Sequence, residues 1–174
     1  MYIISRCLLG DNCKYDGGNN YNEDVVEFCK THSYVAVCPE DAAWLDKPRN
    51  PAEITDNNPE TFTVVDSEGK DMTQDFFSGA AWSMKAAKLE VGTVQEELEG
   101  AILKANSPSC GYGQIYDGTF THTLKEGNGV FTELLLDDFQ YLTTGGWHGA
   151  EGFKYSEDFK IANENNFKEV FGLK

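Results

Sequence analysis

The chain of 174 residues contains five cysteines, and these side chains have the greatest potential for chemistry. Their number is odd, and residues 1–6 lack the basic segment and long apolar run that are typical of a secretory signal peptide. We therefore expect free thiols in a reducing cytoplasm and not a secreted disulfide framework. Such thiols serve as core residues, nucleophiles or metal ligands.

Three of the cysteines follow predicted strands. Apolar runs predict buried strands over residues 2–7, 34–38 and 100–104. Cys7 and Cys38 close the first two, and Cys110 lies in the loop after the third. Because the carboxyl ends of parallel strands share the sheet edge where ligands bind, we expect these thiols to converge. Cys13 lies in the loop after Cys7, whereas Cys29 lies on the apolar stripe of a predicted helix and is expected to be inert.

The spacing of the cysteines limits which metal centres they could hold. There is no pair of C-x2-C motifs, so a zinc ribbon or finger is poorly supported. Ligation by thiolates alone suits zinc or an iron–sulfur cluster. If three thiolates hold a four-iron cluster, one iron keeps an open position that can bind a substrate atom.

Polar side chains accompany the cysteines. Glu40 follows Cys38 by two residues, and Ser107 and Ser109 precede Cys110. A carboxylate at the same edge is able to move protons during a reaction, but a solvated loop charge has the same sequence pattern. Ser107 is equally typical of a turn before proline. The residues by themselves leave both roles open.

Alternating strands and helices must position these residues. Capping and helical spacing predict helices over residues 22–33, 73–89, 130–139 and 158–174. A further strand is predicted over 61–66, and loops are predicted over 41–60, 111–118 and 143–150. This alternation is typical of an α/β fold, here a single Rossmann-like domain with a mostly parallel sheet flanked by helices.

Acidic residues outnumber basic ones, 29 against 14, which gives a formal net charge of −15. Such a surface repels phosphate backbones and anionic lipids, so neither nucleic acid nor a membrane is an expected partner. No apolar run approaches the roughly 20 residues that span a bilayer. We therefore expect a cytoplasmic protein, and its oligomeric state is left open.

Several motifs occur in an order that resembles a bacterial family. They are CLLG at 7–10, KYDGG at 14–18, VCPE at 37–40, PRNPAEI at 48–54, LKANSPSCG at 103–111 and IYDGTF at 115–120. The series resembles the DUF 523 family, whose members include enzymes that remove sulfur from thiouracil. The likeness covers residues 1–140, which implies a desulfidase domain of that extent. Residues 141–174 are then expected to form a C-terminal extension packed on or beside it.

The resemblance implies an oxygen-sensitive [4Fe-4S] cluster held by Cys7, Cys38 and Cys110, with one iron left open for the substrate sulfur. The implied reaction is a non-redox desulfuration of a small thiolated base, in which water replaces sulfur and sulfide leaves. Glu40 would activate water or shuttle a proton, and Ser107 would assist by hydrogen bonding or proton relay. The charge of −15 favours an uncharged base over transfer RNA as the substrate.

Two other interpretations of the cysteines are kept. One is a structural zinc site built from Cys7, Cys13, Cys38 and Cys110, which chelation would unfold. The other is metal-free sulfur handling through a persulfide on a thiol of low pKa. The iron, zinc and sulfide contents of protein purified without oxygen distinguish the three.

Overall fold

The computed structural model describes residues 1–143 and 153–173. The strands are β1 (Tyr2–Ser5), β2 (Tyr34–Val37), β3 (Ala52–Asp56), β4 (Thr63–Asp66), β5 (Leu98–Leu103), β6 (Gln114–Tyr116), β7 (Leu124–Glu126) and β8 (Tyr155–Asn163). The α-helices are α1 (Glu23–Cys29), α2 (Pro39–Ala42), α3 (Thr73–Val94), α4 (Val130–Thr143) and α5 (Phe167–Val170), and a 3-10 helix spans Arg6–Leu9. No helix within the two described ranges is long and apolar enough to cross a membrane.

The centre of the fold is a parallel sheet of four strands in the order β2-β1-β5-β8. Ile3 of β1 pairs with Val35 of β2 on one side and with Ala101 of β5 on the other. Strand β8 runs in the same direction beside β5. The carboxyl ends of these strands therefore meet at one edge, and the predicted α/β fold with a parallel sheet is confirmed.

Helices cover both faces of the sheet because successive strand residues point to opposite sides. Ile3 belongs to the larger core, together with Phe76 of α3 and Phe131 of α4. Its neighbour Ile4 belongs to the smaller core, together with Phe28 of α1. The sheet is thus fixed between two helical layers, and the loops at its carboxyl edge carry the site.

The helix predicted over residues 158–174 is wrong. Most of this segment belongs to β8 and to the turn that follows it, and only Phe167–Val170 is helical. Ile161 packs in the larger core and Ala162 in the smaller one, so the segment alternates with the period of a strand. Pairing with β5 therefore overrides the helical spacing of the apolar residues.

Other boundaries differ from the sequence predictions as well. Strand β3 lies inside the predicted loop 41–60 and pairs with β4, and β6 lies inside the predicted loop 111–118 and pairs with β7. The first strand ends at Ser5, so Cys7 lies in the 3-10 helix. Thr143, the first residue of the predicted loop 143–150, ends α4, and residues 144–150 lie outside the described residues.

Candidate active site

The three cysteines that were expected to converge lie at the carboxyl edge of the sheet. Cys7 is in the 3-10 helix after β1, Cys38 is the residue between β2 and α2, and Cys110 lies in the loop after β5. Burial raises the pKa of the Cys110 thiol, and the charges of Cys38 and Cys7 raise it further. The three sulfur atoms are therefore close enough to influence one another electrostatically.

The segment after Cys7 turns back onto the 3-10 helix. Gly10 permits this turn, since its φ of 98° lies in the left-handed region. The Asn20 backbone N–H donates to the Cys7 carbonyl oxygen at 2.9 Å, and Asn20 Nδ2 donates to Cys7 Sγ at 3.4 Å. A donor beside the sulfur favours its thiolate form.

Cys13 contacts both Cys7 and Cys38 and is only 2% exposed. Hydrogen bonding with Cys13 lowers the pKa of Cys7 to about 7, and it also lowers the pKa of Cys38. The same hydrogen bonds, with Cys38 first, raise the pKa of Cys13. The arrangement therefore favours thiolates at Cys7 and Cys38, and a protonated Cys13 whose single S–H donates to one of them at a time.

The Ser107 hydroxyl holds the loop that carries Cys110. Ser107 Oγ accepts hydrogen bonds from the backbone N–H groups of Ser109 at 3.1 Å and Cys110 at 3.2 Å. Thr132 Oγ1 donates to the Cys110 carbonyl oxygen at 3.0 Å. The loop also packs closely on Gly129, where a Cβ would lie 2.4 Å from the Ser109 carbonyl carbon. These contacts fix the position of the buried Cys110.

Glu40 lies in the first turn of α2, and its two carboxylate oxygens contact different segments. Oε1 accepts from the Ser109 hydroxyl at 3.2 Å, and Oε2 accepts from Arg49 Nη2 at 2.5 Å. The side chains of Arg49 and Glu40 are 11% and 18% exposed. Because Ser109 is the neighbour of Cys110 and Glu40 follows Cys38 by two residues, the carboxylate lies beside the cysteines.

The family resemblance implied Ser107 as the assisting hydroxyl, whereas the hydroxyl that contacts Glu40 belongs to Ser109. Arg49 was also missed, since it lies in a segment that was predicted as an irregular loop. The motif PRNPAEI marked that segment, and a partly buried carboxylate requires a cationic partner. Lys47 and Arg49 are the two cations that follow Glu40 most closely in sequence, but the nearer one, Lys47, pairs with Asp41 instead, so proximity in sequence alone would not have indicated Arg49.

The donor atoms at this edge fit an iron–sulfur cluster. Within the part of the chain that the structure describes, no three His, Cys, Asp or Glu residues surround one point closely enough for a single metal ion. A four-iron cluster is wider than one ion, so its ligands lie further apart. The available donors are thiols from three segments, and hydrogen bonding with Cys13 favours the thiolate at two of them.

A cavity of about 820 Å³ borders the site at Cys38. It runs along β2, between α2 and α3, and Arg6, Trp44 and Trp82 contribute to its lining. Glu40 does not line it. The cavity therefore lies beside the cysteine-bearing edge and reaches it at one residue.

Comparisons with known proteins identify the family of the chain. The family model described as 2-thiouracil desulfurase matches residues 2–145. The uncharacterized protein YbbK of Bacillus subtilis (strain 168) is 36% identical over 140 residues, which cover 78% of this chain and 89% of YbbK. The solved structure of the [4Fe-4S]-dependent thiouracil desulfidase TudS (DUF523Vcz) aligns with a TM-score of 0.69 and 30% identity, covering 98% of this chain and 94% of that chain. The chain belongs to the 2-thiouracil desulfurase family.

Proposed function

We propose that the protein is an iron–sulfur-dependent desulfidase that removes sulfur from a small thiolated nucleobase such as thiouracil and releases sulfide. Membership of the 2-thiouracil desulfurase family and the likeness to TudS support this activity. The observation that carries the proposal is the meeting of Cys7, Cys38 and Cys110 at one sheet edge, with the Glu40 carboxylate beside them. A hydrolytic desulfuration needs a Lewis acid that binds the substrate sulfur and a group that accepts a proton from water. Thiols that can hold a metal cluster and a carboxylate at one place can supply both.

The cofactor in this proposal is a [4Fe-4S] cluster with three thiolate ligands, Cys7, Cys38 and Cys110. The Asn20 and Cys13 side chains lie beside two of these sulfurs and donate hydrogen bonds that tune them. When bound, the cluster supplies a Lewis-acidic iron without a protein ligand, to which a soft substrate sulfur is attracted.

Glu40 performs the proton chemistry in this proposal. Water attacks the carbon that bears the sulfur, and the carboxylate takes a proton from that water as the new C–O bond forms. The C–S bond then breaks, so that the thiocarbonyl and water become a carbonyl and hydrogen sulfide, with no change in oxidation state. Ser107 assists by holding the Cys110 loop and by hydrogen bonding or proton relay at the site.

The remaining expectations concern context. The net charge of −15 supports a small uncharged base and no nucleic-acid partner, and the free cysteines support a cytoplasmic location. Residues 1–140 form the desulfidase domain in this proposal, and residues 141–174 form an extension packed on it. The pairing of β8 with β5 supports that packing, since β8 lies beyond the matched residues 2–145.

The contact of Cys13 with Cys7 and Cys38 favours the alternative of a zinc site with four cysteines, whereas the spacing of the described side chains, too wide for a single ion, opposes it. Protein purified without oxygen distinguishes the two proposals. The desulfidase is expected to be brown, to contain about four irons and four inorganic sulfides per chain, and to release sulfide from thiouracil. One zinc with no iron would support the alternative instead.

Two cysteine variants complete this experiment. Cys38→Ser is expected to lose most of the iron and the activity, because it removes a proposed ligand. Cys29→Ser is the control, since Cys29 ends α1 away from the carboxyl edge. A Cys38→Ser variant with unchanged iron content and activity would refute the ligand assignment.

A further inference from the structure

We propose that Arg49 is a positioning residue, which holds the Glu40 carboxylate in the orientation that the reaction needs. The inference rests on the proposed function, because it acts through Glu40. It adds a residue from the segment before β3 to a site whose other members belong to the edge of the parallel sheet.

The contacts of Arg49 join three parts of the chain. Nη2 donates to Glu40 Oε2 at 2.5 Å and to the Cys13 carbonyl oxygen at 3.4 Å. Nη1 donates to the Asp46 carbonyl oxygen at 3.1 Å, and the Arg49 backbone N–H donates to the Tyr15 carbonyl oxygen at 2.8 Å. One planar guanidinium thus links the helix of Glu40 to the loop of Cys13.

The second carboxylate oxygen is held from the opposite segment. Ser109, which is buried beside Cys110, donates its hydroxyl to Glu40 Oε1 at 3.2 Å. The carboxylate therefore lies between one donor from the Cys13 side and another from the Cys110 side. With both oxygens engaged, rotation of the Glu40 side chain would break at least one hydrogen bond.

The ion pair of Arg49 and Glu40 is largely buried, so it affects the position of Glu40 more than an ion pair on the surface would. At 11% and 18% exposure, the Arg49 and Glu40 side chains are largely removed from solvent. Removing the cation would leave a partly buried carboxylate without compensation, and Glu40 would turn toward other donors or water. A displaced proton acceptor slows the chemical step more than it weakens substrate binding.

A double-mutant cycle on the cluster-loaded protein tests the inference, with thiouracil as substrate. Arg49→Gln is expected to lower kcat by about 10- to 100-fold while KM changes by less than about threefold. In the Glu40→Gln background, the same change is expected to lower kcat by less than about threefold, because the group that Arg49 positions is already absent. Arg49→Lys is expected to recover part of kcat, since it keeps the charge and loses the planar fork.

Two controls separate positioning from general damage. Lys47→Gln removes a neighbouring cation that pairs with Asp41 of the same helix α2, at 2.5 Å, and is expected to keep kcat within about twofold. Iron and sulfide content per chain is expected to stay at the parent value in Arg49→Gln. Equal losses of kcat from Arg49→Gln in both backgrounds, or a loss of iron that accounts for the effect, would overturn the inference.

Urea unfolding of the four proteins of the cycle (the parent, Arg49→Gln, Glu40→Gln and the double variant) distinguishes a failure of this inference from a failure of the proposed function. If the parent protein carries a cluster but releases no sulfide from thiouracil, the proposed function fails in that form. Non-additive unfolding midpoints would then still support the contact between Arg49 and Glu40, and additive midpoints would refute it. Full activity in Glu40→Gln would reject both the role of Glu40 and that of Arg49.

Discussion

The thiols of the chain differ in reactivity because burial and hydrogen bonding act on them in opposite directions. Hydrogen bonding with Cys13 lowers the pKa of Cys7 to about 7, whereas burial raises the pKa of Cys29 to about 11. Both residues are half-buried, so exposure alone does not separate them. The thiolate is the nucleophilic form, and Cys7 therefore has far more of it near neutral pH.

Alkylation of the cluster-free chain tests this difference. The rate at Cys7 is expected to rise with pH and to level off above about pH 7, since its thiol is then deprotonated. The rate at Cys29 is expected to stay low at neutral pH and to keep rising until about pH 11. Timed iodoacetamide labelling, followed by peptide mass spectrometry, measures both. Equal rates at the two residues at neutral pH would contradict the expected order.

Substitutions of Ser107 and Ser109, the two serines of the Cys110 loop, are expected to impair different properties of the protein. Ser107→Ala removes the acceptor of two backbone N–H groups, so it should lower the free energy of unfolding by about 1–3 kcal/mol and reduce iron retention. Ser109→Ala removes one donor to Glu40, so it should lower kcat with smaller effects on iron content. Urea titration, iron analysis and steady-state kinetics of the two variants measure these effects. Identical profiles for the two variants would refute the assignment.

Residue types and spacing predicted that Cys7, Cys38 and Cys110 meet at one edge and left the role of Glu40 open, and they could not indicate the hydrogen-bond pattern. Ser107 and Ser109 are two residues apart, and their roles depend on which hydroxyl faces the loop amides and which faces Glu40. Arg49 is nine residues from Glu40 in a segment without periodicity. Such partners are fixed by the path of the backbone, which the sequence pattern does not show.

Among the secondary-structure elements, the strands β1, β2 and β5 and the long helices were predictable, whereas the edge strand β8 and the short strands β3, β6 and β7 were not. Apolar residues occupy most of the buried positions of strands β1 and β5, and α3 repeats its apolar residues at helical spacing. Strand β8 buries only Ile161 and Ala162, and its other residues, which include Lys, Asp and Asn, are half-buried or exposed. The spacing of its apolar residues fits a helix equally well, so only the pairing with β5 determines that this segment forms a strand.

The approach of α4 to the Cys110 loop depends on Gly129, the residue before that helix. A Cβ there would lie 2.4 Å from the Ser109 carbonyl carbon and 2.6 Å from the Cys110 nitrogen. Gly129→Ala is therefore expected to displace the loop, lower the free energy of unfolding by about 1–3 kcal/mol and reduce iron content. Urea unfolding and iron analysis measure these effects.

Gly92 provides the matched control for this substitution. It lies within α3, and a Cβ there would meet nothing within 4 Å. Gly92→Ala is expected to stabilise the chain by about 0.5–1 kcal/mol and to leave iron content unchanged, because alanine loses less conformational freedom in a helix. A Gly129→Ala variant as stable and as iron-rich as Gly92→Ala would show that the loop tolerates the added methyl group.

At the scale of the whole molecule, the segment after β8 ties the C-terminal residues to the site. Glu164 Oε1 accepts from Lys104 Nζ at 2.5 Å, and Oε2 accepts from the Ala105 backbone N–H at 2.8 Å. Lys104 and Ala105 directly precede the loop that carries Ser107 and Cys110. The edge of the parallel sheet is thus held by residues beyond the range matched by the family model.

Replacing Glu164 tests this link. Glu164→Ala is expected to lower the free energy of unfolding by about 1–3 kcal/mol, since it leaves a backbone N–H and a partly buried lysine without their partner. Lys168→Gln removes the solvent-exposed pair with Asp24 and should change stability by less than about 0.5 kcal/mol. Urea unfolding compares them, and an equal effect of the two would contradict the proposed link.

The proposed reaction is the hydrolysis of a thiolated base without redox change, with water as the oxygen donor. The most direct test is anaerobic turnover of thiouracil by the cluster-loaded protein in H₂¹⁸O, with no added reductant or oxidant. We expect one sulfide to be released for each uracil formed, and one ¹⁸O atom in each uracil. Absence of sulfide release, or uracil that carries no ¹⁸O, would contradict it.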